Sequence, residues 1–262
     1  PKEEPKFETI ELTSMGQSSS KQYTYEKLLS ASSGEAFVYL VKRNDELFVL
    51  KIYKPNRHPN HDVLEEIMTK TRGAGSPLVS ISSHGLWTDP KTGWTHDFEV
   101  MQYCEGGSLA EVHFKGKEEE FKRVALEMAI AIDFCHRHHI LHRDVKPGNF
   151  LFVDKERKHL VLSDFGIAMM LDDEGNMIYD KHRQLIEEAR SVVYAAPEMY
   201  MQMQSFSPVV TTKADFYSLG MTLVALWKGE GFLIGKEQEL VTMKQENKLP
   251  YPTLQEISEH TL

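Results

Sequence analysis

Residues 140–152 read ILHRDVKPGNFLF, two apolar runs around a polar middle that carries His142, Arg143, Asp144, Lys146 and Asn149. Asp, Pro, Gly and Asn are turn formers, and a charged loop between two buried elements needs no function to explain it. The order of the charges and their surroundings say more. Upstream, EEEFKRVALEMAIAIDFCHRHH (118–139) sets Phe121, Ala125, Met128, Ile132 and Cys135 at helical spacing. Glutamates open that segment and basic residues close it, as a helix macrodipole favours. Downstream, NFLFV and HLVLSDF read as two short strands. The charged loop therefore lies between a long helix and two short strands.

Further upstream the pattern is that of a sheet. YTYEKLL, EAFVYLVKR and LFVLKIYK, rich in aromatic and β-branched residues, predict an antiparallel meander from Tyr23. A helix is predicted at about 60–72, NHDVLEEIMTKTR, ended by glycine. Two more strands, VSISSHGLW and THDFEVMQY, flank a DPKTG turn. After Gly106 and Gly107 the helical period takes over, and the last strongly apolar helix is predicted near DFYSLGMTLVALWKG. The expected architecture is α+β in two lobes: an antiparallel β lobe with one helix and its link, residues 22–104, and a mostly helical lobe, 105–262. Residues 1–21 are expected to be a tail or loop with one possible short strand.

Composition bounds the function. With 262 residues, 41% hydrophobic and 26% charged, the chain can bury a large core. A formal charge of -9 argues against a nucleic-acid binder, whose surface is usually basic. No apolar run is long enough for a membrane segment. Two cysteines, Cys104 and Cys135, imply no disulfide framework and point to a reducing, cytoplasmic setting. Because the chain opens on Pro1, it is expected to be a piece of a longer polypeptide.

Lys51 stands in an apolar strand, where an unpaired ammonium is costly. Val49 and Lys51, two apart, share a face. The helix that follows supplies Glu65 and Glu66, about 100° apart around its axis. Glu65, one turn from Met68, lies nearer the apolar face and is the expected partner of Lys51; counting residues to the next strand favours Glu66.

HRDVKPGN fits the pattern His-Arg-Asp, four residues, Asn. Asp164 follows in DFG, Ala196, Pro197 and Glu198 form APE, and Lys51 precedes them in VLKIY. With these four motifs in one order, the chain resembles the eukaryotic-type Ser/Thr protein kinase family over about residues 22–250. The resemblance implies ATP and Mg²⁺ as cofactors and a protein substrate. It implies that Asp144 takes the proton of the substrate hydroxyl, that Lys146 lies beside the transferring phosphate, and that Asn149 and Asp164 hold the metal. Lys146, two residues after the base, matches the Ser/Thr branch. The resemblance puts adenine between Val38 and Val49 on one side and Leu151 on the other. It sets Met101 at the gatekeeper position, with the backbone of Gln102 and Cys104 facing the base. Asp215 matches the family's helix residue that braces the catalytic loop.

Two departures stand out. The family's glycine-rich phosphate loop corresponds to ASSGEAFV, so Ala31, Ser33 and Ala36 replace its glycines and Gly34 lies between them. Such a loop predicts weakened or rearranged phosphate contact and points to a divergent or bacterial member. It keeps open a pseudokinase or nucleotide-binding scaffold as the alternative, alongside a small-molecule kinase of related fold. Second, no Arg follows Arg190 to pair with Glu198, and the distal helices are expected to be absent from this chain.

Overall fold

The computed structural model describes residues 4–31, 34–72, 75–178, 193–199, 209–229, 239 and 242–243. Six strands, β1 (Thr9–Thr13), β2 (Ser20–Ser30), β3 (Ala36–Arg43), β4 (Glu46–Tyr53), β5 (Ile81–Thr88) and β6 (Thr95–Gln102), form one antiparallel sheet in the order β1-β2-β3-β4-β6-β5. Alternation sorts its side chains. Ile10, Leu12, Tyr39, Leu50, Ile52, Phe98 and Val100 pack into one apolar cluster, so Val49, Lys51, Glu99 and Met101, one residue out of phase on their strands, face the other way. The β3-β4 turn places Asn44 and Asp45 at φ of 50° and 65°, the left-handed geometry that a two-residue hairpin needs and that Asn and Asp tolerate.

Part of the stretch expected to be a tail or loop with one possible short strand, Thr9–Thr13, joins this sheet. β1 pairs with β2 from Thr9 to Thr13, and its alternate residues Ile10 and Leu12 are buried. The possible short strand before residue 22 is thus β1, and Gln22 pairs with Glu11 within its ladder.

The other face of the sheet is covered by α1 (His61–Lys70), whose N-terminus is capped by the Asn60 side chain accepting from the amides of Asp62 and Val63. Val63, Leu64 and Ile67 are its buried residues. They join Val49 and Met101 in a cluster that runs on without a break into the second lobe.

There, β7 (Gly107–Ser108) precedes α2 (Glu118–Arg137), which buries Val124, Met128, Ala131, Ile132 and Cys135. β8 (Ile140–Leu141) leads into the charged loop, β9 (Phe150–Phe152) and β10 (Leu160–Leu162) form the expected pair of short strands, and β11 (Met169–Met170) returns to β8. A further helix, α3 (Lys213–Lys228), packs on α2. A mostly helical second lobe is not evident among the described residues, in which α2 and α3 share the lobe with five short strands. A helix that the sequence suggests at 234–247 lies largely outside them. Among the described residues no helix is long and apolar enough to cross a membrane.

Candidate active site

The charged loop is pinned from behind by one acid. Asp215, fully buried in the first turn of α3, accepts from the amide of His142 at 2.9 Å, the amide of Arg143 at 2.8 Å and His136 Nε2 at 2.9 Å. His142 is fixed from both sides: its Nε2 donates to the Ser163 carbonyl at 2.9 Å, and its Nδ1 accepts from the Asp144 amide at 3.2 Å. The ring thus carries its proton on Nε2. Arg143 and Asp164 adopt φ of 70° and 66°, a conformation non-glycine residues rarely hold unless their surroundings impose it.

The side chains singled out in the sequence converge in front. Lys146 Nζ lies 2.7 Å from Asp144 Oδ2. Asn149 Nδ2 donates to the same oxygen at 2.9 Å and to the Asp144 carbonyl at 2.7 Å. Burial pulls the Lys146 ammonium pKa down, but the charges of Asp144, Asp164 and Glu35 carry it above its ordinary value. Asp144 is therefore presented in a fixed orientation beside a firmly protonated lysine.

From the first lobe, Lys51 Nζ reaches Asp164 Oδ1 at 2.7 Å, joining two residues 113 apart in the chain. Burial raises the Asp164 carboxyl, but Lys51, with Lys146 behind it, holds its pKa at about 2. Burial works against the Lys51 ammonium too, and is outweighed by Asp164, Tyr53 and Glu99, which keep it well above the usual lysine value.

The expected partner of Lys51 is corrected. Glu65 accepts from His84 Nε2 at 3.1 Å, and Glu66 lies 3.5 Å from His138 Nδ1 and 3.8 Å from Lys70 Nζ. Since α1 turns Val63, Leu64 and Ile67 to the core, neither glutamate reaches the lysine. Its second anion is Glu99, 3.1 Å away on β6, where the register sets it directly opposite Lys51. Tyr53, two residues along β4, donates its hydroxyl to the same Glu99 oxygen at 3.1 Å. Sequence reasoning missed both. The signal was an acid in the apolar run FEVM, two residues before Met101 and so on its face.

A protein kinase domain model matches residues 24–262. The chain belongs to the protein kinase family. It is 31% identical over 187 residues to CBL-interacting serine/threonine-protein kinase 10 of Arabidopsis thaliana, covering 70% of this chain and 31% of that protein. It is 33% identical over 180 residues to human serine/threonine-protein kinase Nek2, covering 61% and 36%. To the bacterial serine/threonine-protein kinase PknB of Mycolicibacterium smegmatis it is 31% identical over 156 residues, covering 58% and 23%. The kinase chain thus spans little more than a third, at most, of the length of these relatives.

The residues expected around adenine come from both lobes. Val49 and Leu151, both half-buried, pack against the cluster that contains Met101 and Cys104. Val38, half-buried on β3, stands opposite Lys51. Gln102 ends β6 and donates its amide to the Ser80 carbonyl. Burial pushes the Cys104 thiol up to about 11. In the altered phosphate loop, Ala31 and Gly34 are exposed, Ala36 is fully buried where β3 begins, and Ser33 lies outside the described residues. Glu35 bends inward, its Oε2 only 2.6 Å from where a Cβ on Gly166 would stand, so a side chain there would have to push the glutamate aside.

Whether the site fits a magnesium ion can be tested on its donors. Asn149 uses its NH₂ group on Asp144, which leaves Oδ1 to accept, and Asp164 gives Oδ1 to Lys51, which leaves Oδ2. One amide and one carboxylate oxygen suit Mg²⁺, which keeps waters and phosphate oxygens as its other ligands. Asn149 and Asp164 would hold it.

Proposed function

We propose that this kinase domain transfers the γ-phosphoryl group of ATP to Ser or Thr hydroxyls of a protein substrate. The reading is carried by one observation, the 2.7 Å contact between Lys51 and Asp164 in front of the Asp144, Lys146 and Asn149 cluster. Phosphoryl transfer asks a protein mainly for positioning and for cations near the phosphate oxygens. Lys51 would engage the phosphates from the sheet, and Lys146 the transferring group from the loop. Asp144, oriented through Asn149 and Lys146, would accept the hydrogen bond of the attacking hydroxyl and then its proton. Magnesium, when bound, neutralises charge on the phosphates. Ser/Thr preference is supported by Lys146 and by the serine/threonine-protein kinases among the relatives described above.

The test is transfer from radiolabelled ATP to generic protein substrates, comparing the unaltered chain with Asp164→Ala and Lys51→Met. Each variant is expected to lose on the order of 100-fold or more in rate; equal labelling by all three would sink the reading. A nucleotide-binding scaffold is the second reading. Glu35 above Gly166, in a loop without its usual glycines, favours it, because a carboxylate there repels phosphate. ATP binding without any transfer would establish it.

A further inference from the structure

Glu99 is fully buried 3.1 Å from Lys51 Nζ, and none of the loop chemistry uses it. Three features set it apart. Its Cα faces that of Lys51 across the β4-β6 ladder, so the contact is held by sheet register and not by the pose of a helix. Its Oε1 takes both the Lys51 ammonium and the Tyr53 hydroxyl, while Oε2, also buried, has no hydrogen-bond partner among the described residues. And α1 has no carboxylate on its buried face, its two glutamates being engaged by His84 and by His138 and Lys70.

We infer that Glu99 is the positioning residue that holds Lys51 for the nucleotide, and that the α1 glutamates take no part in it. The inference rests on the kinase reading above and adds a residue to it. Asp164 has two duties, the lysine and the metal. When its carboxylate turns to a cation, Lys51 loses the 2.7 Å partner, and Glu99 becomes the one anion built into its strand neighbourhood. The unfilled Oε2 gives Glu99 acceptor capacity for the ammonium at that moment. A buried acid left without its cation, or a buried cation without its acid, is costly, so the pair keeps itself together through turnover. Tyr53 holds the carboxylate still; burial first, then Glu99, keeps its hydroxyl protonated and donating. The consequence is a kinase domain whose catalytic lysine is set by the sheet, independent of where α1 lies.

The experiment compares Glu99→Gln, Glu99→Asp, Tyr53→Phe, Glu65→Gln and Glu66→Gln in steady-state phosphotransfer, with folding checked by circular dichroism. Glu99→Gln should raise KM for ATP about tenfold or more with a smaller change in kcat, Glu99→Asp should recover part of the loss, and Tyr53→Phe should cost about threefold. Glu65→Gln and Glu66→Gln should stay within about twofold. An unchanged KM in Glu99→Gln together with a raised one in either α1 variant overturns the inference; if Glu99→Gln does not fold, Tyr53→Phe decides by the same criterion. Should the unaltered chain transfer no phosphate, the kinase reading fails by itself, and the Glu99 assignment is read from acetic anhydride labelling of Lys51 followed by peptide mass spectrometry. Removing the anion should speed that labelling about tenfold in Glu99→Gln and not in the α1 variants. Equal rates would overturn it.

Discussion

Asp164 stands in a backbone conformation that most residues avoid, with its carboxyl held near a pKa of about 2 against an ordinary 3.8. A depressed folded-state pKa means that ionised Asp164 stabilises the folded chain above 3.8, and that this contribution fades as pH falls toward 2. The stability gap between the unaltered chain and Asp164→Asn should therefore be full near neutral pH and narrow steadily below about pH 4. Urea midpoints measured across that range check it; a gap that widens on acidification would contradict the sign. Asp144, Lys146, Asn149, Asp164 and Lys51 were legible in the sequence because each lies in a short run of fixed spacing. Glu99 was not, because its partner is 48 residues away and only strand pairing makes them neighbours.

Two local devices hold the loop and the helix in place. Asp215 satisfies two buried backbone amides and one imidazole, so Asp215→Ala leaves donors without acceptors at about 1–3 kcal/mol each. A loss of roughly 3 kcal/mol or more in unfolding free energy is expected, with activity falling further than stability alone explains, because the Asp144 loop is released. Calorimetry paired with phosphotransfer rates would show both. Asn60 caps α1 through two amides, and Asn60→Ala should cost about 1 kcal/mol while leaving KM for ATP unchanged, since α1 carries no contact to Lys51. Helical periodicity located α2 to within two residues of its end. It placed the inward stripe one position off in part: Val124 and Ala131 are buried, whereas Phe121 and Ala125 are only half-buried. A short apolar pattern fixes that a helix is amphipathic, and its rotation is settled by what it packs on.

Across the whole molecule, one apolar cluster passes from α1 and β6 through α2 to α3, so the two lobes share a core while Lys51 and Asp164 bridge them in front. A ligand that binds there stabilises the folded state alone. Mg-ATP at a hundredfold excess over its Kd should add about 2.7 kcal/mol to unfolding, and Lys51→Met should abolish the corresponding shift in melting temperature. Local order was written into the chain directly: the meander, α1, α2 and the charged loop each follow from periodicities of two or 3.6 residues and from turn chemistry that acts over a few neighbours. Tertiary structure alone assigned the anion opposite Lys51, drew Thr9–Thr13 into the sheet, and brought Glu35 over Gly166. Those outcomes depend on strand register and lobe closure, which join residues far apart in sequence, and no short-range pattern carries that information.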